Sequence, residues 1–266
     1  MNFFCALNIL WISLLPKAGA SGGENGVSYP GSPSFFAREN IQRQKQIPVL
    51  CYHNIGPLKK GNSPAYTIDA EQFNAHIKML SDSGYTAILP DQLCEYLTNG
   101  KTLPFKSIMI TFDDSHEDHF TTAAPILKRF GYRGVFFIMT VTIGKYAYLT
   151  GAQIKELSDS GHVIAGHTWN HPSITKLKGQ DWNMQISRPK EILEKITGRP
   201  VQYFAYPYGA WDDKAIDQLK KREIKAAFQL LEKQSEKEPL YTIRRLMVSG
   251  DWSAATLYKH IKIFFP

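Results

Sequence analysis

Short apolar segments alternate with amphipathic segments along most of the chain, and this alternation limits the fold more than any other feature. From Ile47 onward, the apolar segments are rich in β-branched or aromatic residues, which predicts strands. They comprise residues 47–52, 86–89, 107–112, 134–140, 162–166, 202–206, 225–229 and 241–248. The segments between them have apolar residues at helical spacing, and the predicted helices are 70–83, 91–98, 118–130, 151–160, 184–196, 211–222 and 254–263.

The predicted strands are nearly all apolar, which is typical of parallel strands that helices cover on both faces. In the segment 70–83, Phe73, Ile77 and Leu80 lie on one helical stripe, and Asp69 can cap the amino end. The number of strand and helix repeats favours a single α/β domain built as a barrel or partial barrel. In such folds the active site lies at the carboxyl ends of the strands.

The first 45 residues differ from this pattern. An apolar run from Phe3 to Leu15, followed by Ala18-Gly19-Ala20, predicts a signal peptide over residues 1–20. The alternative is an uncleaved membrane anchor or a buried helix. Residues 21–45 predict a surface tail and residues 46–266 the folded domain. The protein is therefore expected to be exported to the periplasm, the cell surface or the medium, without a membrane span once the signal peptide is removed.

Composition excludes some classes of protein. With 12% aromatic and 21% charged residues, the chain has the apolar content of a globular protein. Its 31 basic and 24 acidic residues give a net charge of +7, but the basic residues are scattered among acidic ones. This pattern predicts a solvated surface and no nucleic-acid partner. Outside the signal peptide only Cys51 and Cys94 remain, and we expect two buried free thiols rather than the disulfide that export would permit.

Two adjacent carboxylates, Asp113 and Asp114, directly follow the predicted strand 107–112. Neighbouring residues on a strand point in different directions, so one carboxylate can face a metal ion while the other faces water or substrate. The alternative is structural, because Asp114 or Ser115 could cap the helix that follows.

His167 and His171 follow the predicted strand 162–166 and lie four residues apart. If the chain turns there, both imidazoles can converge on one divalent metal ion. Together with Asp114 they would supply two nitrogens and one carboxylate. Three protein ligands with open positions are typical of a catalytic ion rather than a structural one.

A third strand end, in the segment 204–209, is aromatic and interrupted by Pro207 and Gly209. It is either a simple turn or a loop that presents a backbone N–H, that of Tyr208, to an oxyanion. In the second interpretation, Tyr206 or Tyr208 flanks a sugar ring.

These motifs together resemble the polysaccharide deacetylase family, the NodB-homology carbohydrate esterases. TFDD at 111–114 and HTWNH at 167–171 are similar to the first two motifs of that family. PVLCYHNI at 48–55 and FAYPYG at 204–209 are similar to the subgroup that partly deacetylates poly-β-1,6-N-acetylglucosamine in biofilm matrix. The matches extend over roughly residues 47–250.

The resemblance implies a distorted (β/α) barrel and a role for each matching residue. Asp113 would be the general base, and Asp114, His167 and His171 would bind the metal. Tyr206, Pro207 and Tyr208 would form part of the substrate-binding loop. Zinc is the expected ion, with cobalt, nickel or iron as alternatives for two histidines and one aspartate.

The sequence departs from the wider family at two positions. Ala205 stands where an arginine usually orients the base, and Arg245 is the proposed substitute, with Arg244 next; both could instead be surface arginines on an edge strand. The late Leu-x-His motif that carries the general acid is missing, and His260 is expected at the surface. His53 is the proposed acid, although it could instead be a strand-end histidine bonded to backbone.

The expected function is a metal-dependent hydrolase, acting on carbon–nitrogen bonds other than peptide bonds, that removes N-acetyl groups from an N-acetylglucosamine polysaccharide and releases acetate. Poly-β-1,6-N-acetylglucosamine is the favoured substrate. Peptidoglycan, chitin oligomers and other acetylated glycans are alternatives within the same chemistry. An alternative of another class is a catalytically impaired glycan-binding protein. The sequence does not specify an oligomeric state.

Overall fold

A computed structural model describes residues 41, 43–58 and 63–266 of the chain. The predicted signal peptide and most of the predicted tail lie outside these residues. Ile41 belongs to that tail, yet it is buried in the same apolar cluster as Leu93 and Leu97. Packing therefore begins before residue 46, at an isolated apolar residue whose polar neighbours give no periodic signal.

The described residues form ten strands, most of which were predicted. They are β1 (Val49–Tyr52), β2 (Asn54–Ile55), β3 (Thr67–Ile68), β4 (Thr86–Ala87), β5 (Ser107–Phe112), β6 (Val135–Ile138), β7 (Val163–Gly166), β8 (Tyr203–Ala205), β9 (Ala226–Phe228) and β10 (Leu246–Met247). The two-residue strands β2 and β3 pair only with each other, and a pair this short has no recognisable pattern in the sequence.

The main sheet is parallel throughout and has the order β10-β1-β5-β6-β7-β8-β9, with β4 beside the start of β5. Its two edges approach each other through the segment 243–247. Ile243 forms a bridge with Phe228 of β9, and Leu246 pairs with Leu50 of β1. This arrangement confirms the predicted distorted (β/α) barrel. All strands direct their carboxyl ends to one side, so residues that follow different strands can meet there.

Seven α-helices of the described region cover the sheet. They are α1 (Ala70–Asp82), α2 (Pro90–Asn99), α3 (Ala124–Arg129), α4 (Gly151–Asp159), α5 (Arg188–Thr197), α6 (Asp213–Lys220) and α7 (Ala254–Phe264). Helix α1 follows the sequence prediction closely, because the Asp69 carboxylate accepts a hydrogen bond from the Glu71 N–H and the stripe at Phe73 and Ile77 is buried. In the described region, every helix is too short or too polar to cross a bilayer.

Alternate residues of the central strands pack into two apolar clusters. In β5, Ile108 and Ile110 belong to one cluster and Met109 belongs to the other. In β6, Phe136 stacks on Phe112 at a ring-centroid distance of 4.8 Å, whereas Phe137 joins the opposite cluster. The apolar runs of the sequence thus reflect strands that are covered on both faces, as predicted.

Three predicted elements differ in detail. The predicted strand 241–248 contributes only β10 to the ladder, because the preceding residues cross from one sheet edge to the other and are buried without regular pairing. The predicted helices 118–130 and 184–196 each begin with a turn of π-helix, His119–Ala123 and Asn183–Ser187, before the α-helix starts. Cys51 and Cys94 are free thiols, as predicted, although Cys94 is only partly buried.

Candidate active site

Asp113 follows the last residue of β5 and is held by Arg245, which lies just before β10. The guanidinium Nη1 lies 2.7 Å from Asp113 Oδ1 and Nη2 lies 2.8 Å from Oδ2. Arg245 also donates to Thr111 Oγ1 and to the carbonyl of Gln229. Both charged side chains are buried. Burial opposes ionisation of Asp113, but the adjacent Arg245 guanidinium outweighs it and lowers the pKa of the carboxyl to about 2.

The sequence left two candidate arginines, and in the structure Arg245, not Arg244, contacts Asp113. Arg244 points away and donates to the side-chain oxygen of Gln46 at 3.0 Å. The guanidinium of Arg244 also lies over the ring of Phe265, 5.8 Å from its centroid.

His53 lies beside the same carboxylate. Cys51, His53 and Asp113 bring one polar side-chain atom each within 4.8 Å of one another, and the Cys51 thiol donates to Asp113 Oδ2 at 3.5 Å. The His53 Nδ1 atom is buried without a hydrogen-bond partner among the described residues. Burial lowers the pKa of His53. The backbone carbonyl of His53 accepts a hydrogen bond from His119 Nε2 at 2.6 Å.

Asp114, His167 and His171 form a second cluster, which we call the Asp114 triad. Asp114 Oδ1 lies 3.5 Å from Nε2 of each histidine. His167 donates from Nδ1 to the carbonyl of Ala205 at 2.8 Å, which leaves the lone pair of Nε2 directed towards Asp114. Burial acts against a charge on His167, but Asp113 and Asp114 outweigh it and raise the pKa of His167.

Two carboxylates, those of Asp113 and Asp114, therefore face His167 Nε2, at 3.9 Å and 3.5 Å. Two imidazole nitrogens and one carboxylate oxygen that face one point are the donor set of a catalytic divalent ion. The residues present therefore fit the metal that the sequence motifs imply. The alternative for Asp114, a helix cap, does not apply, because no cap hydrogen bond is formed at the start of the His119–Ala123 turn.

The turns that bring these groups together have unusual backbone conformations. Asp114, Ser115, Thr168 and His171 all have positive φ angles, between 64° and 73°. Such conformations are costly for residues other than glycine and occur mainly where the surroundings impose them. Here the Ser115 hydroxyl accepts a hydrogen bond from the Met139 N–H at 2.7 Å, and the Thr168 hydroxyl accepts one from the His171 N–H at 2.9 Å.

Gln185 supports the histidine turn from a different part of the chain. Its side-chain oxygen accepts a hydrogen bond from the Trp169 N–H at 3.1 Å, and its nitrogen donates to Asn170 Oδ1 at 2.8 Å. Neither the role of Gln185 nor the contact of His119 with the His53 carbonyl was identified from the sequence. Both contacts involve backbone or amide groups, which no sequence motif indicates.

The predicted substrate-binding loop separates into buried and exposed residues. Tyr206 is 1% exposed and packs in the apolar core, so its ring cannot flank a sugar, and Pro207 is buried as well. Tyr208 is 68% exposed, and its ring lies 4.6 Å from that of His171. The end of the strand explains the difference. The Tyr206 N–H continues the ladder from β8 by donating to the Phe228 carbonyl, whereas Tyr208 lies in the turn Pro207–Gly209 with a φ angle of 61°.

His260 stacks on Trp252 with ring centroids 4.0 Å apart, and its Nδ1 is bonded to the Thr256 carbonyl within helix α7. It is partly buried rather than fully at the surface as predicted. Its partners thus belong to the packing of α7.

The parallel α/β barrel thus holds a buried carboxylate–arginine pair beside an Asp-His-His cluster at the carboxyl ends of its strands, an arrangement suited to a hydrolase. Comparisons with known proteins are specific. Residues 100–227 match the polysaccharide deacetylase family. A solved structure, BC0361 of Bacillus cereus, described as a polysaccharide deacetylase, is 27% identical with a TM-score of 0.71, and the match covers 82% of this chain and 69% of that one.

Two further relatives carry more specific names. Poly-beta-1,6-N-acetyl-D-glucosamine N-deacetylase of Staphylococcus aureus is 26% identical over 201 residues, which are 70% of this chain and 69% of that protein. Peptidoglycan-N-acetylglucosamine deacetylase of Bacillus cereus is 24% identical over 183 residues, 67% of this chain and 64% of that protein. Residues 100–227 therefore contain a polysaccharide deacetylase domain.

Proposed function

We propose that the protein is an exported, metal-dependent deacetylase that removes N-acetyl groups from N-acetylglucosamine polysaccharide and releases acetate. The observation that carries this proposal is the bidentate Asp113–Arg245 pair directly beside the Asp114 triad. Asp113 Oδ2 lies 3.9 Å from His167 Nε2, so a base and a metal-type donor set share one small space.

Asp114, His167 and His171 would hold the divalent ion, with zinc favoured over cobalt, nickel and iron. When bound there, such an ion polarises the acetyl carbonyl and makes a water molecule more acidic. The second interaction of His167, with the Ala205 carbonyl, fixes the tautomer that leaves Nε2 available.

Asp113 would accept the proton of the attacking water. Its pKa of about 2 keeps it ionised at neutral pH. Arg245 binds both carboxylate oxygens and so fixes the plane of the carboxylate, with Oδ2 3.9 Å from His167 Nε2 of the triad. Arg245 therefore supplies the orienting contact whose usual position is occupied by Ala205.

His53 would act as the general acid. Addition of water oxygen to the acetyl carbon gives a tetrahedral oxyanion, to which the backbone N–H of Tyr208 would donate. The carbon–nitrogen bond then breaks, and the sugar nitrogen must gain a proton to leave as an amine. His53 lies near Asp113 and has a buried Nδ1 without another partner among the described residues, so a proton carried there could pass to the leaving nitrogen.

Poly-β-1,6-N-acetylglucosamine is the favoured substrate within this chemistry. The motifs at 48–55 and 204–209 and the Staphylococcus aureus relative support it. Exposed aromatic rings of Tyr66, Trp169 and Tyr208 offer faces on which sugar rings can stack. The Arg245–Asp113 pair argues against an impaired glycan-binding protein, because the orienting arginine is present.

The test of substrate class is acetate release by the purified protein from β-1,6-linked N-acetylglucosamine oligomers, chitin oligomers and peptidoglycan, compared at equal concentrations of acetyl groups. We expect the highest kcat/KM on the β-1,6-linked oligomers. A preference for either of the other glycans would keep the reaction and overturn the assigned substrate. If no glycan releases acetate although the protein binds them, the glycan-binding alternative is correct.

A further inference from the structure

A groove of about 470 Å³ lies beside the reaction centre and is not used by the mechanism above. We call it the His116 groove, and its walls include Asn54, Thr67, His116 and Tyr148. Asn54 and Thr67 lie in the β2–β3 pair, which follows β1, and His116 and Tyr148 lie in the loops after β5 and β6. The groove therefore opens on the same side of the barrel as the Asp114 triad. A volume of this size is within the range of small-ligand sites, about 300–1,000 Å³.

Contacts in space, and not only the sequence, bring the groove close to the reaction centre. The ring of His116 lies 5.8 Å from that of His119, and His119 Nε2 donates to the carbonyl of His53 at 2.6 Å. A sugar in the groove would therefore lie near the sugar whose acetyl group is attacked.

The wall at His116 is rigid and aromatic. The rings of His116 and Tyr148 stack at 5.3 Å with an interplanar angle of 22°. Their backbones form an antiparallel bridge, which the Glu117 N–H to Ala147 carbonyl bond and the Leu149 N–H to Ser115 carbonyl bond extend on either side. A fixed aromatic surface loses little conformational entropy on binding, and sugars pack on such surfaces.

Polar groups in the groove point to the same class of ligand. Thr67 is 6% exposed, and its hydroxyl is buried without a hydrogen-bond partner among the described residues. Buried hydroxyls are normally paired, so a ligand hydroxyl or amide is a suitable partner. The side-chain nitrogen of Asn54 donates a long bond, 3.4 Å, to the Tyr66 carbonyl, which also accepts the Asn54 backbone N–H at 2.9 Å.

The charged residues of the groove further limit the class of ligand that it can bind. Its described lining residues contain neither lysine nor arginine, whereas Asp118 is among them. An anionic ligand, such as a sugar that bears a carboxylate, would be desolvated there without a counter-charge. A neutral hexosamine, or one that has lost its acetyl group and carries an ammonium, meets no such penalty.

We propose that the His116 groove is a subsite for a hexosamine unit that bears no carboxylate group and that is adjacent to the unit that is deacetylated. This inference rests on the proposed function. It adds that the protein prefers oligomers to single sugars, and that it acts poorly where the adjacent sugar carries a carboxylate.

The test compares kcat/KM for a β-1,6-linked N-acetylglucosamine tetramer with kcat/KM for a small chromogenic acetyl ester, which has no second sugar. We expect the ratio of the two to fall about tenfold in Tyr148→Ala and several-fold in Thr67→Val, mainly through KM for the tetramer. The matched control is Tyr146→Ala on the same loop, because Tyr146 is 95% exposed and lies outside the groove lining. An unchanged ratio in both groove variants would overturn the subsite.

Equilibrium binding separates this inference from the proposed function. The tetramer is titrated into Asp113→Asn protein by calorimetry, with and without Tyr148→Ala. A tenfold weaker affinity in the double variant supports the subsite even if no acetate were released by the wild-type protein. Equal affinities would refute the subsite while leaving deacetylation intact.

Discussion

The buried pair of Asp113 and Arg245 leads to a quantitative prediction about stability. Replacing Arg245 by Met removes the two hydrogen bonds to Asp113 and those to Thr111 and the Gln229 carbonyl. It also leaves the Asp113 carboxylate buried without its counter-charge. Breaking a buried ion pair from one side costs about 3–5 kcal/mol, a large part of the roughly 5–15 kcal/mol that stabilises a typical domain.

A double-mutant cycle distinguishes this pairing from simple loss of packing. Asp113→Asn alone leaves a buried guanidinium, whereas Arg245→Met combined with Asp113→Asn removes both charges. We therefore expect the double variant to be more stable than the sum of the single effects predicts, by at least about 2 kcal/mol. Urea unfolding at pH 7, followed by circular dichroism, gives the four free energies of unfolding that the cycle needs, those of the wild type, the two single variants and the double variant.

Arg244→Met is the matched control for this cycle. Arg244 is the neighbouring residue, partly buried, and bonded to the Gln46 side chain rather than to a carboxylate. Its replacement should cost no more than about 1 kcal/mol. Additive effects of Asp113→Asn and Arg245→Met, or an equal cost for Arg244→Met, would refute the reasoning.

Three further predictions concern pH, packing and metal. Burial and the nearby Arg133 lower the pKa of His162 from 6.5 to about 4, and its neutral Nδ1 accepts a hydrogen bond from the Gly134 N–H. The neutral form of His162 therefore stabilises the fold above pH 6.5. This stabilisation is lost as the pH falls from 6.5 towards 4. At pH 5 the loss is about 2 kcal/mol, from about 1.4 kcal/mol per pH unit, and denaturant titrations should show it in the wild type but not in His162→Asn. Gly250→Ala should destabilise by about 1–3 kcal/mol in the same assay, because a Cβ there would lie 1.7 Å from the Thr67 carbonyl oxygen; an unchanged midpoint would contradict this close approach. Zinc at about 100 times its Kd should stabilise the protein by about 2.7 kcal/mol in thermal unfolding, and His167→Ala should abolish this gain if the Asp114 triad holds the ion.

The sequence predicted those features that depend on local patterns. Strand β5 and helix α1 were located almost to the residue, because their apolar spacing and the Asp69 cap are local signals. The meeting of Asp114 with His167 and His171 also followed from their positions after two strands. The ligand spacing within the chain and the common edge of a parallel sheet were sufficient for that prediction.

Other contacts could not be predicted because they join distant parts of the chain. Arg245 and Arg244 were equivalent by sequence, and only the crossing of the segment 243–247 between sheet edges decides which one faces Asp113, 132 residues away. Tyr206 and Tyr208 were likewise indistinguishable before the turn after β8 was known. Gln185 supports the histidine turn through amide groups, for which residue type alone gives no signal.

The central claim is that Asp113 and an ion held by the Asp114 triad together remove acetyl groups from a glycan. Its most direct test is acetate release from β-1,6-linked N-acetylglucosamine oligomers by metal-stripped protein, before and after zinc, cobalt or nickel is added, beside Asp113→Asn measured in the same way. We predict that metal restores acetate release to the wild type and not to the variant. Release that persists after metal removal, or that is equal in Asp113→Asn, would contradict the account.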